Sequence, residues 1–139
     1  MSLELESLRK SVADLAEALD TETRFSAMPD EPLRNTLRAG VVQGFEVAYE
    51  QSWKMLQRWL RENLGPDIEE QLRTRRDLFR QGAQAGLIAD PAAWFEYGQT
   101  RSLTAHTYDE SVAISVSAVA RRFLDDAQAF LHALEARND

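Results

Sequence analysis

Apolar side chains recur along this chain three and four residues apart, without any sustained alternation. The pattern therefore predicts helices and no sheet. Leu5, Leu8, Val12, Leu15, Ala16 and Leu19 form one stripe, with Glu4, Glu6, Asp14 and Glu17 on the other face, which predicts an amphipathic helix over residues 3–19. From Thr21 to Pro32 the period breaks, with Pro29 and Pro32 as punctuation. A long second helix follows over residues 33–64. Leu37, Val41, Phe45, Ala48, Ser52, Leu56 and Leu60 make its stripe, and Tyr49, Trp53 and Trp59 widen it. Glu50 precedes Lys54 by four residues, the spacing of a helical ion pair. Gly40 and Gly44 offer a neighbouring helix a close approach, and Gly65-Pro66 ends the run. After a loop to about Thr74, a short helix over residues 75–85 is anchored by Leu78 and Phe79 and closed by Gly86. Asp90-Pro91 reads as the N-cap and first turn of a helix to about Leu103 that buries Trp94, Phe95 and Tyr97. The last helix spans residues 110–136, with Val112, Val116, Val119, Ala120, Phe123, Ala127, Phe130, Leu131 and Leu134 inward. Thr107 or Asp109 supplies its cap, and Thr107 to Glu110 has capping-box spacing. The expected fold class is all-α: an antiparallel up-and-down bundle of four main helices plus a short inserted helix, in one domain over residues 1–139.

Composition adds exclusions. The chain has no cysteine, so disulfides, thiolate chemistry and zinc–thiolate sites are out, and a reducing cytoplasm is the expected location. No apolar run approaches the roughly 20 residues of a membrane span. The acidic N-terminus lacks the basic start of a signal peptide. Net charge is −7, so bulk attraction to nucleic acid is absent and any phosphate site must be a local basic patch. One candidate patch is visible: Arg73, Arg75, Arg76 and Arg80.

The candidate chemistry lies in the stretch from Arg101 to Glu110, which holds one of only two histidines, His106, with Arg101 before it and Tyr108 after it. Arginine presents a planar, permanently charged fork to phosphate oxygens, and histidine moves protons near neutral pH. Together they suit metal-independent RNA cleavage, in which a base activates the 2′-hydroxyl and a cation stabilises the phosphorane. On a continuous helix, five residues would leave Arg101 and His106 roughly 140° apart. They converge only if the helix stops between them or if two copies of the chain meet. From spacing alone the plainer reading is a hydrogen-bonded loop histidine, a surface ion pair for Arg101 and a bundle-end anchor in Tyr108. No metal is expected, because His132 has no second histidine at ligand spacing, and no cofactor is implied.

Three blocks carry a resemblance. The first runs from Phe45 to Leu56 through Glu46, Tyr49, Glu50, Trp53 and Lys54. The second runs from Arg76 to Ile88 through Asp77, Phe79, Arg80 and Gly86. The third is the Arg-x-x-x-x-His-x-Tyr motif of Arg101, His106 and Tyr108. Together they resemble the HEPN superfamily, and within it the nucleotidyltransferase substrate-binding proteins. That resemblance implies a helical bundle that forms a homodimer and partners a minimal nucleotidyltransferase encoded beside it. It implies a cleft where two copies of the Arg-His motif meet and where a nucleotide or RNA is bound. Some relatives are ribonuclease toxins whose nucleotidyltransferase antitoxin transfers AMP to the motif tyrosine. Carried across, Arg101 and His106 become the candidate catalytic pair and Tyr108 the modification site. Active relatives usually carry Asn, Asp or His directly after the arginine, whereas this chain has Ser102, which weighs against nuclease activity. Arg76, Arg80, Lys54 and Glu50 are the candidates for holding a nucleotide or its phosphates, with Glu46, Glu50 and Lys54 as candidate lining of the cleft beside the Arg-His pair. Their plainer readings are a solvated charge ladder on the long helix, an Arg76–Asp77 ion pair, and solvated charges at Arg73, Arg75 and Arg80. Phe45, Tyr49, Trp53 and Leu56 read as core. Three functions stay open: a binding subunit for a nucleotidyltransferase, an endoribonuclease, and an inert helical assembly module.

Overall fold

The structure, a computed structural model, describes residues 3–106 and 109–137. Five α-helices follow one another: α1 (Glu6–Arg24), α2 (Glu31–Leu64), α3 (Arg75–Gln84), α4 (Pro91–Leu103) and α5 (Glu110–Arg137). Among the described residues there is no strand. The long α2 is the spine, with α1 and α5 packed along it and α3 and α4 closing its remaining side. This is the expected all-α, up-and-down bundle, with α3 as the short insertion. Among the described residues no helix is long and apolar enough to cross a membrane.

Caps match the polar punctuation of the sequence. The Asp30 carboxylate accepts the Leu33 amide at the start of α2, and the Asp90 carboxylate accepts the Ala92 amide at the start of α4. Gly86 adopts φ 79° just past α3, where the left-handed conformation favours glycine. Two elements exceed their apolar pattern. The first helix runs on to Arg24 because its last turn is held by polar contacts, with Glu22 gripped from α5 by Arg121 at 2.6 Å and Ser117 at 2.9 Å. The expected loop before α3 is a 3-10 helix, Pro66–Leu72, which buries Ile68 and Leu72 and is tied to α2 by Arg61–Glu69 at 2.7 Å. Of the two spine glycines only Gly44 mediates close packing: a β-carbon there would lie 3.4 Å from the Leu15 backbone, whereas Gly40 faces open space.

The core is an aromatic cluster between α2, α3, α4 and α5. Phe123 sits at its centre, with ring centroids 5.1 Å from Phe45, 5.1 Å from Tyr97 and 5.6 Å from Trp94, all edge-on. In α4 the buried aromatics are Trp94 and Tyr97, while Phe95 is only partly covered. In α5, Ala113 and Ser117 are buried in place of Val112 and Val119, the two valines being half-buried. Tyr97 donates a very short hydrogen bond to Asp126, and burial raises its pKa, with the Asp126 hydrogen bond as the second cause.

Candidate functional site

The chain offers two neighbouring hollows, one on each side of the α4 C-terminal turn. The first is built around Arg101. Helix α4 ends at Leu103 and a 3-10 turn, Thr104–His106, follows. The helix thus stops between Arg101 and His106. Two carboxylates from α2 converge on Arg101: Glu46 Oε2 lies 3.2 Å from Nη1 and Glu50 Oε1 lies 3.4 Å from Nε. Arg101 Nη1 also donates to the Thr104 hydroxyl at 2.7 Å, and that hydroxyl donates to Glu46 at 3.1 Å or to the Arg101 carbonyl at 2.7 Å. The second Glu50 oxygen accepts the Trp53 indole N–H at 3.0 Å. Arg101 is about one-third exposed, 34% against 32% for each glutamate, so solvent screens the pairing only in part. Its Nε is shielded from solvent and has no hydrogen bond of good geometry. One cation against two anions leaves this hollow, walled also by Gln43, Val47 and Gln51, with a formal charge of −1.

The turn beyond Arg101 is ordered by the start of α5. The His106 carbonyl accepts the Asp109 amide at 3.0 Å, and the His106 side chain is exposed. Asp109 caps α5 by accepting the Ser111 hydroxyl at 2.8 Å and the Ser111 amide at 2.9 Å. Those bonds, the hydroxyl first, hold its carboxyl below the usual range. Asp109 is therefore the observed cap. Thr107 and the candidate modification site Tyr108 lie outside the described residues.

The second hollow lies between α2, α3 and α4, a groove of roughly 350 Å³ lined by Tyr49, Arg75, Arg76, Trp94, Phe95 and Ser102, among others. Arg75 lies over the Trp53 ring, 3.6 Å from its centroid, and donates to the Tyr49 hydroxyl at 3.3 Å. Arg76 stacks 4.6 Å from the Phe95 centroid. Burial raises the pKa of Tyr49, and the bond from Arg75 pulls it partly back. The Ser102 hydroxyl donates to the Gln99 carbonyl at 2.5 Å.

Several residue pairings differ from the sequence reading. Glu50 turns to Arg101 and Trp53 rather than to Lys54, whose ammonium lies 5.7 Å from the Trp53 centroid. A long-range arginine outcompetes the helical partner because it approaches from α4 into a partly desolvated site. Asp77 pairs with Arg80 at 3.3 Å instead of Arg76, and Arg80 also lies 5.4 Å from the Phe95 centroid. Arg73 pairs with Glu70 at 3.0 Å. Arg75, read as a solvated charge, is the residue most tightly stacked on an aromatic ring. Its partner Trp53 is remote in sequence, so no local spacing signalled it. Glu46 and Glu50 did carry a readable signal: like charges four apart on one helix face repel unless a cation lies between them.

Residues 3–136 match the family described as nucleotidyltransferase substrate binding protein like. The chain belongs to that family. A Haemophilus influenzae protein named "Probable ribonuclease HepT" is 35% identical over 106 residues, covering 76% of this chain and 73% of that protein. A solved Haemophilus influenzae structure, described as revealing the fold of a substrate binding domain of a nucleotidyltransferase, superposes with a TM-score of 0.85 at 30% identity, covering 95% of this chain and 99% of that one. A Thermus thermophilus crystal structure matches with a TM-score of 0.57 at 29% identity, over 88% of this chain and 97% of that one.

Proposed function

We propose that this chain is the nucleotide- and substrate-binding subunit of a pair with a minimal nucleotidyltransferase, of toxin–antitoxin type. Two copies of the chain present the Arg101–His106–Tyr108 segment at a shared cleft. The observation that carries this over a nuclease is the pairing of Arg101 with Glu46 and Glu50. A cation that stabilises a phosphorane must bring uncompensated positive charge to the developing negative charge. Arg101 brings a charge already countered by two carboxylates of its own chain. The Ser102 hydroxyl, bonded to the Gln99 carbonyl, is engaged elsewhere than at His106.

One observation favours a second reading: the 35% identity to a protein named a probable ribonuclease. In that reading Arg101 and His106 cut RNA without a metal, and AMP transfer to Tyr108 silences them. The two readings separate in one assay. Purified protein is incubated with RNA in excess EDTA beside Arg101→Ala and His106→Ala, and is separately mixed with its neighbouring nucleotidyltransferase on a sizing column. A stable complex, with no cleavage above the variants, is the expected result. EDTA-resistant cleavage that vanishes in both variants replaces the binding subunit with the nuclease.

A further inference from the structure

We propose that the groove between α2, α3 and α4 binds a nucleotide, with Arg75 and Arg76 gripping its phosphates. The proposal deepens the binding-subunit reading by assigning the nucleotide a site away from Arg101, and it rests on that reading for its biological setting only. The argument starts from charge. The chain has 23 acidic residues against 16 basic ones, so an arginine readily finds a carboxylate. Arg73 and Arg80, on either side, do so with Glu70 and Asp77. Among the described residues Arg75 and Arg76 make no ion pair; Arg34, Arg58 and Arg137 share that, but only Arg75 and Arg76 stand together at one groove. Both stand in the first turn of α3, where the helix dipole disfavours cations. Helix stability gives no reason for them there.

Their mode of attachment fits phosphate recognition. The guanidinium carbon of Arg75 lies over the Trp53 ring at 3.6 Å and that of Arg76 over the Phe95 ring at 4.6 Å, so a ring rather than a carboxylate holds each side chain. The N–H groups of Arg76, and those of Arg75 other than the one given to the Tyr49 hydroxyl, then remain for an acceptor, and the side chains have already lost part of their rotamer freedom. This differs from Arg101, whose N–H edge is spent on Thr104 and Glu46.

The groove supplies the rest of a nucleotide's chemistry. The buried rings of Trp94 and Phe79 underlie it and Phe95 gives it a half-covered aromatic wall, while Gln99 and Ser102 add neutral hydrogen-bonding groups. Its volume of roughly 350 Å³ falls within the usual range for small-molecule sites. Gly98 keeps the spacing, since a β-carbon there would come within 2.8 Å of the Tyr49 hydroxyl. A site with a cationic rim and an apolar, aromatic floor asks for a ligand with anionic groups on a flat ring system.

The test is isothermal titration of the full chain, without any nucleotidyltransferase, by ATP, AMP and inorganic tripolyphosphate at low and high salt. Tryptophan fluorescence supplies a second signal, because Trp94 lines the groove and Trp53 lies under Arg75. ATP binds and weakens with salt. Arg75→Ala and Arg76→Ala each weaken it roughly tenfold or more, and the double variant abolishes it. Arg76→Lys loses most of the affinity although it keeps the charge, while Arg73→Ala matches the wild type. Circular dichroism of every variant confirms the helical fold. Absence of ATP binding by the wild type, or unchanged binding in the folded double variant, overturns the proposal. Tripolyphosphate binding as tightly as ATP overturns the nucleotide assignment, as does single-stranded RNA binding where ATP does not. Because no partner protein is present, loss of the nucleotidyltransferase complex leaves this titration unchanged, and the two failures are read separately.

Discussion

Arg101 and Ser102 are consecutive residues of α4, yet they belong to hollows of opposite charge. On the Arg101 side two glutamates from α2 meet one guanidinium, and a threonine hydroxyl completes the set. On the Ser102 side two guanidiniums lie against aromatic rings, and no carboxylate answers them. Both sides rest on the same turn of α2, where Tyr49 touches Arg75 and Glu50 touches Arg101. The difference teaches that the motif arginine is not where this acidic chain keeps its available positive charge. A sequence motif names a residue, whereas the partners of that residue decide whether its charge is spent.

The largest effect comes from removing what the two sides share. Phe123 makes edge-on contacts with Phe45, Trp94 and Tyr97, and a tilted one with Tyr49, beneath both hollows. Phe123→Ala costs about 3–5 kcal/mol, because the rigid rings around it cannot collapse into the space. Urea denaturation measures the loss. A cost below about 1 kcal/mol would mean that the cluster is not the common platform, and that the two sides are independent.

How much of this was legible in sequence follows from the range of each interaction. The five helices were readable because helical periodicity, caps and glycine stops are local, and Asp90 and Gly86 act where they stand. The 3-10 helix over Pro66–Leu72 was not, because Ile68 and Leu72 are too few to set a period. Within the candidate site, the sequence sets Glu46 and Glu50 beside the Arg-His pair, but it does not show that both carboxylates close on Arg101 itself across α2 and α4. Arg75 was set aside for the same reason: its ring partner, Trp53, lies on another helix. The contrast between the two hollows is a tertiary property, invisible to spacing.

A smaller effect sharpens the comparison directly. Arg101→Ala leaves Glu46 and Glu50 facing each other without a cation, so it destabilises the fold by on the order of 1 kcal/mol, reduced by partial exposure and by salt. Glu46→Gln added to that variant recovers part of the loss, because it removes one of the repelling charges. Arg75→Ala forfeits only a ring contact and one hydrogen bond to Tyr49, about half as much. Chemical denaturation of the four proteins at low and high salt reads the order. An Arg75→Ala cost as large as that of Arg101→Ala would mark Arg75 as a structural strut rather than an available cation.

The smallest effect appears only in alkali, and it uses Tyr49 as a probe seated between the two arginines. Burial raises the Tyr49 pKa above its ordinary value, and the hydrogen bond and charge of Arg75 pull it back, with Arg101 a weaker contributor. A raised folded pKa means that the stabilising contribution is complete below the unfolded value, about 10, and is lost as pH rises through the folded value. Stability therefore falls with pH above about 10, by at most about 1.4 kcal/mol per pH unit for this one proton. Tyr97, raised by burial and by Asp126, adds its own share. Tyr49→Phe removes one proton's worth of that slope. In Arg75→Ala the tyrosinate loses its nearest cation, so folded Tyr49 ionises at higher pH and the total alkaline loss grows. Arg101→Ala shifts the same limb less, because Arg101 makes no hydrogen bond to the Tyr49 hydroxyl and its charge is the weakest contributor there. Denaturation midpoints from neutral pH to about pH 11 test this. Equal shifts in the two variants would show that Arg101 acts on Tyr49 as strongly as Arg75 does, and the assignment of Tyr49 to the Arg75 side would not hold.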